Sequence, residues 1–349
     1  MTLDDIKRID QSGMYDRLLD FHTQIEDAVR IGKEASLKLS VKGVANIVLT
    51  GMGGSAIGGD LLRSYLVDEL RVPFIVNRHY ALPGFIDRGS LVIVSSYSGN
   101  TEETIAAHRD AIKRKARILC ITTGGETERL AIRHRQPVIK IPGGFQPRAA
   151  LGYSFFPLLL AFSRLGFMKQ RAKDARETIR LLRSKARVYG DPDATGNSPL
   201  QLARQLKGTL PIVYSSTEYF DAIGVRWREQ ICENAKNLAF GHVIPEMNHN
   251  ELVGWKIGAE TMGHMEVVFL RDRRTHKRIA TREGITEEII SRHALHVSEV
   301  WSEGRSLLAR MFSLIYFGDW VSFYLAILND EDPTPVMVIE QLKGELANV

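Results

Sequence analysis

Cysteine is scarce in this chain: Cys120 and Cys232 are the only two among 349 residues. Two thiols cannot build a disulfide framework. Neither stands near another cysteine or a ligand-spaced histidine, which argues against a structural zinc site. Cys120 lies in the apolar run ILCITT and is expected in the core. His293 and His296 show no metal-ligand pattern, so no metal is expected. Long hydrophobic runs are lacking as well. YSFFPLLLAF falls short of the ~18 residues of a membrane span, and the N-terminus MTLDDIKRID lacks the apolar core of a signal peptide. No membrane partner is expected, and a cytoplasmic location is the default. Charge of one sign is missing too. The net charge is +5, with 46 basic residues dispersed among 41 acids, a balance that does not suggest nucleic acid. Two basic clusters stand out, KRKAR at 113–117 and RDRRTHKR at 271–278. The second lies between MEVVFL and RIATREGI and reads as a solvated hairpin.

What the chain does have is alternation. Up to about residue 190, short β-branched runs (NIVLTG, PFIVN, SLVIVSS, ARILCITT, QPVIKI) interleave with helical stretches such as SAIGGDLLRSYL and TEETIAAHRDAIKRK. This pattern predicts a mainly parallel sheet with helices on both faces. GDPDATGNSP, residues 190–199, is rich in breakers and reads as a linker. Beyond it, LPIVYSS and MEVVFLRD read as strands and TEYFDAIGVRWREQICENAKN as a helix. A long apolar helix, SLLARMFSLIYFGDWVSFYLAIL, precedes a short tail. The expectation is an α/β protein of two doubly wound domains, residues 1–190 and 191–349, the second a degenerate copy of the first.

Glycines and a serine bunch in GMGGSAIGGD, residues 51–60, where the first strand turns into the first helix. A helix N-terminus carries about half a positive charge and free N–H groups, and glycine lets a ligand approach the backbone. Gly53, Gly54 and Ser55 are therefore candidate ligand contacts. Gly51-x-Gly53-x-x-Ala56 also fits a loose dinucleotide fingerprint. The next strand, however, ends in Asn77 and Arg78 where a ribose-binding acid is needed. A nicotinamide-dependent dehydrogenase, with Arg78 toward a 2′-phosphate, is the lesser alternative.

The loop SSYSGNTEET, residues 95–104, places Ser96, Ser98 and Thr101 between a strand end and a helix start. The acceptor oxygens of a phosphate monoester suit several short hydroxyl and N–H donors, and Gly99 permits successive N–H groups to point inward. Asn100 with Glu103 has the form of a capping box, and Glu102 and Glu103 complement the helix dipole. Capping leaves Ser96, Ser98 and Gly99 unexplained. Together the two loops resemble the sugar isomerase (SIS) domain, a phosphosugar-binding module. The resemblance implies that Ser55, Ser96, Ser98 and Thr101 hold the substrate's phosphate, with backbone contacts at Gly53 and Gly54.

Four later segments extend the resemblance. GGFQPRAALGYSFFPLL sets Arg148 ahead of a long helix, and ENAKNLAF sets Glu233 at a helix end, in helical spacing with Arg226 and Gln230. EMNHNELVGW puts His249 in a polar turn, and VIEQLKGEL puts Lys343 in the final helix. Over essentially the whole chain this is similar to the bifunctional phosphoglucose/phosphomannose isomerase family. What the resemblance implies is a metal- and cofactor-free isomerase acting on phosphosugars. Glu233 would be the base that moves a proton between C1 and C2 through a cis-enediol. Arg148 would stabilise the enediolate, and His249 and Lys343 would serve ring opening. It further implies a homodimer in which His249 comes from the partner subunit, and a role for a threonine, with Thr334 in the right segment, in accepting mannose 6-phosphate. The chemistry suits these residue types. The C2 proton is not acidic, so a partly buried glutamate with a raised pKa is called for, and a fixed cation stabilises the developing oxyanion. The other alternative is a non-catalytic sugar-phosphate sensor, which would keep the four hydroxyls without needing Glu233, His249 or Lys343.

Overall fold

Runs of β-branched and aliphatic residues become central strands here because both of their faces are covered. The computed structural model describes residues 1–346. It divides into a unit spanning Phe21–Arg180 and a second formed by Met1–Asp20 with the chain from Leu181 onward. The chain opens with α1 (Leu3–Ile9) and α2 (Met14–Leu19). The Phe21–Arg180 unit holds α3 (Phe21–Glu34), β1 (Asn46–Thr50), α4 (Gly53–Tyr65), β2 (Phe74–Asn77) and β3 (Ser90–Ser96). It continues with α5 (Glu102–Lys113), β4 (Arg117–Thr122), α6 (Gly125–Arg133), β5 (Val138–Lys140) and α7 (Leu151–Arg164). After α8 (Ala172–Tyr189) come α9 (Ser198–Leu206), β6 (Leu210–Ser216), α10 (Asp221–Ala235), β7 (Phe240–Ile244) and the short α11 (Ala259–Met262). The last elements are β8 (Met265–Arg271), α12 (Lys277–Ile290), β9 (His296–Trp301), α13 (Leu307–Leu328) and α14 (Met337–Leu346).

Both sheets are parallel throughout. The first has strand order β2-β1-β3-β4-β5 and the second β7-β6-β8-β9. All seven residues of β3 are buried. Val92 and Val94 share a core layer with Ile118, Cys120 and Ala107, and burial pushes the Cys120 thiol up to about 12. Read from the first strand of each unit, β6 corresponds to β1 and β8 to β3. The fold class is thus the expected α/β, doubly wound twice. In each sheet the winding reverses between those two strands, and open α/β sheets bind ligands outside the carboxyl ends of the strands at that point.

Several local expectations are corrected. The first twenty residues group with the chain from Leu181 onward, which holds the second sheet, and not with Phe21–Arg180. Tyr316 Oη donates to the Leu18 carbonyl at 2.8 Å, and the Tyr15 and Trp320 rings meet edge-on at 5.7 Å. Residues 190–199 are a folded turn inside that unit. Buried Asn197 donates to the Tyr189 and Asp191 carbonyls and caps α9 by accepting from the Leu200 N–H at 3.1 Å. RDRRTHKR is the turn from β8 into α12 rather than a hairpin. RIATREGI is helical, and α12 buries Glu283, Thr286 and Ile290 at helical spacing. β7 (FGHVI) and β9 (HVSEVW) do not stand out in the sequence because Gly-His and Ser-Glu interrupt their apolar residues, whereas the other edge strands, β2 and β5, keep short unbroken aliphatic runs. Finally, α13 is long and apolar enough to cross a membrane, against the expectation that no run is. It is a core helix, with 89% of its apolar window buried in the protein.

Candidate active site

The two loops singled out in the sequence meet at the switch point of the first sheet. Ser95 Oγ donates to the Ser55 carbonyl at 3.1 Å, and the Tyr97 N–H donates to Ser55 Oγ at 3.0 Å. A serine hydroxyl that accepts one N–H still has a proton to donate. Ser96 Oγ lies 3.2 Å from Thr101 Oγ1 and accepts from the Gly99 N–H at 3.1 Å. Ser55 and Ser96 are buried, Thr101 is half-buried and Ser98 is exposed. Neither α4, starting after Met52, nor α5, starting after Thr101, has a side-chain cap on its first turn. Two helix N-termini, each with orphan N–H groups and a positive dipole end, therefore flank a patch of hydroxyls. This is a cradle suited to a phosphate monoester.

The capping box expected at Asn100 and Glu103 is not formed. Asn100 Oδ1 instead accepts from the Glu126 N–H at 3.0 Å, at the start of α6. Gly99, at φ +71°, brings the loop against the next one, and a side chain there would overlap the Gly124 carbonyl.

Arg148 belongs to the same unit, in the 3₁₀ turn Pro147–Ala149, and is buried. A Cβ on Gly54 would stand 2.5 Å from the Pro147 carbonyl and 2.9 Å from the Arg148 nitrogen. Glycine at 54 is thus what lets the first loop lie against the turn that carries Arg148. Two holding residues went unread in the sequence. Gln24 on α3 donates to the Ala149 carbonyl at 2.9 Å and accepts from the Gly152 N–H at 2.8 Å. Tyr97 Oη accepts from the Phe145 N–H at 2.9 Å. Both contacts are long-range, and no local pattern announces them. Arg78, the residue of the dinucleotide alternative, pairs with Asp60 of α4.

Glu233, His249, Lys343 and Thr334 all lie in the other unit. Glu233 is half-buried in the last turn of α10. The open carbonyls of that turn are held. Lys236 Nζ donates to those of Glu233 and Asn234, each at 3.1 Å, and to the Asp332 carbonyl at 2.7 Å. Asn329 Nδ2 donates to the Ala235 carbonyl at 3.0 Å. Lys236 thereby ties the end of α10 to the tail two residues before buried Thr334. His249 is exposed at the end of the 3₁₀ turn Glu246–His249. Its flanks are fixed by Asn248 to Thr286 at 2.7 Å and by Tyr214 Oη, which donates to Glu251. Burial, and then Glu251, pushes the Tyr214 phenol up, so it stays a donor. Lys343 is exposed on α14, beside exposed Ile339 and Leu342.

The second sheet's own switch point is filled differently. Between β8 and α12, the His276 N–H donates to both oxygens of Glu218, each at 3.2 Å. A carboxylate of the protein itself stands where the first sheet leaves its hydroxyl loop open. Among the described residues, no group of three or more His, Cys, Asp or Glu side chains is placed to hold a metal ion.

Comparison with known proteins covers both units. The family described as "Bacterial phospho-glucose isomerase C-terminal SIS domain" matches residues 196–346, and that described as "SIS domain" matches residues 38–134. A bifunctional phosphoglucose/phosphomannose isomerase of Caldicellulosiruptor bescii is 44% identical over 337 residues, 96% of this chain and 99% of that protein. One of Aquifex aeolicus is 36% identical over 301 residues, 86% and 90% respectively. A crystal structure of a hypothetical protein from Thermus thermophilus superposes with a TM-score of 0.75 at 15% identity, covering 99% of this chain and 93% of that one. That last likeness concerns the fold alone.

Proposed function

The chain belongs to the bifunctional phosphoglucose/phosphomannose isomerase family, and from this we propose that it interconverts glucose 6-phosphate and mannose 6-phosphate with fructose 6-phosphate. The observation that carries the reading is the hydroxyl cradle between two helix starts lacking side-chain caps, at the first sheet's switch point. Ser55, Ser96, Ser98 and Thr101 take the phosphate there, with the backbone at Gly53 and Gly54 alongside. Glu233 is the base. Its carboxylate takes the C2 proton of the open-chain aldose while the C1 carbonyl oxygen gains one. Return of the proton to C1, with loss of the O2 proton, leaves the ketose. Arg148 stabilises the negative charge on the enediolate oxygen, as a fixed cation does. His249 and Lys343 move the protons of ring opening. Reprotonation from either face of the enediol would give both aldoses, and Thr334 is assigned to that choice.

The reaction moves protons and no net electrons, so no redox cofactor is called for. The working form is a homodimer in which the partner subunit's His249 completes each site, and its exposure suits that role. Charged sugar phosphates do not cross membranes unaided, so a cytoplasmic location goes with this substrate. The test is fructose 6-phosphate formation from each aldose in EDTA without added cofactor. Turnover of neither sugar would sink the reading. Glu233→Gln is expected to lose at least ~10²-fold in kcat, the scale of general-base catalysis, while still binding glucitol 6-phosphate, which cannot isomerise. A non-catalytic sensor would bind that polyol equally well but turn over no sugar.

A further inference from the structure

The helix that carries Glu233 is fastened to its core by charge as well as by apolar packing. Arg226, Gln230 and Asn234 recur at every fourth position of α10 and so share one face. They are 3%, 4% and 1% exposed. All three address α13. Arg226 donates through Nε and Nη2 to the two oxygens of Asp319, at 3.1 and 2.8 Å, and Gln230 Nε2 donates to Asp319 Oδ1 at 3.0 Å. Asn234 Nδ2 donates to Ser322 Oγ at 3.0 Å, and Ser322 donates to the Asp319 carbonyl at 2.8 Å. Trp227 Nε1 donates to the Leu314 carbonyl at 2.9 Å, a further tie between the same two helices.

A buried ion pair is a poor device for stability, since apolar residues of like volume often serve as well or better. What it supplies is direction. A bidentate guanidinium–carboxylate fork accepts one mutual geometry, so α10 can neither turn about its axis nor slide along α13 without breaking it. Glu233 stands between Gln230 and Asn234, and its Cα–Cβ direction is set by that same rotation.

We propose that Asp319, acting through Arg226 and Gln230, is a positioning residue of the isomerase: the buried fork sets the rotation of α10 and hence the direction in which the Glu233 carboxylate meets the sugar. The inference rests on the assignment of Glu233 as base. Asp319→Asn keeps the shape and removes the charge. Its kcat is expected to fall by roughly 10- to 100-fold, the scale of a displacement near 1 Å. Its KM for fructose 6-phosphate and its Kd for glucitol 6-phosphate stay within about twofold, because uniform binding is untouched. The double variant Arg226→Met, Asp319→Leu separates positioning from stability. Its melting temperature should match or exceed the parent's, while its kcat falls as in Asp319→Asn. Arg226→Lys, which keeps the charge but not the fork, should lie between. Parent-like kcat in the folded double variant overturns the proposal, as does a kcat loss that merely follows the unfolded fraction. Glu233→Gln tells the two failures apart. If Glu233→Gln is inactive and the double variant keeps its kcat, positioning alone is wrong. If Glu233→Gln stays active, the base is wrong and the proposal falls with it.

Discussion

A hydroxyl in a phosphate cradle contributes through one short bond to a charged oxygen, and that bond is measurable. Thr101 Oγ1 lies 3.2 Å from Ser96 Oγ and keeps its own proton to give. Hydrogen bonds to charged groups are worth about 1.5–3 kcal/mol, which is roughly a 10- to 100-fold change in affinity. Thr101→Val should therefore weaken glucitol 6-phosphate binding and raise KM by that factor, with a smaller change in kcat. Ser98→Ala should weaken both less, since Ser98 is exposed and water competes at its site. Unchanged affinity in Thr101→Val would remove the residue from the cradle. The hydroxyls were legible in the sequence because they exceed what a helix start needs. The true partner of Asn100 was not, since the N–H it serves belongs to Glu126, 26 residues on. A capping pattern read locally does not distinguish the start of α5 from that of α6, which Asn100 serves.

At the scale of elements, legibility followed unbroken apolar runs, which the part-exposed edge strands β2 and β5 also keep. Strands β1, β3, β4, β6 and β8 are buried runs and announce themselves, whereas edge strands β7 and β9 alternate poorly and carry polar residues. The helix α10 was legible, including the spacing of Arg226, Gln230 and Glu233. Its fastening was not, because Asp319 lies 93 residues from Arg226. The other end of that helix yields a prediction. Lys236 closes α10 in the left-handed conformation, at φ +53°, which favours glycine by on the order of 1 kcal/mol. Its ammonium holds the Glu233 and Asn234 carbonyls and the tail at Asp332. Lys236→Ala loses these bonds and keeps the strain, while Lys236→Gly loses the same bonds and relieves it. The glycine variant should melt higher than the alanine variant, yet both should lose kcat alike if the ties hold Glu233 in place. A kcat that rises and falls with the melting temperature would show that Lys236 serves stability only.

At the scale of the whole molecule, alternation foretold two doubly wound sheets, and their strand orders share the pattern 2-1-3-4. The duplication does not extend to what lines the two switch points. One switch point is lined by hydroxyls, and at the other the Glu218 carboxylate already accepts the His276 N–H of the β8–α12 turn. Sequence pattern could not show this, because glutamate in a loop is commonplace until its partner is known. The proposed roles also divide between the units, with the cradle and Arg148 in one and Glu233, His249 and Lys343 in the other. If the partner subunit's His249 completes each site, then two inactive variants should rescue each other. A Glu233→Gln subunit paired with a His249→Ala subunit forms one site with both defects and one with neither. Random pairing of equal amounts in a twofold dimer would then restore about a quarter of parental activity. If His249 instead acts within its own chain, every site in the mixture carries one defect and nothing is restored. Unfolding and reassembling the two variants together, then comparing turnover with each reassembled alone, decides between the arrangements. Sedimentation of the mixture confirms that dimers have formed, so that a lack of rescue counts against the shared site.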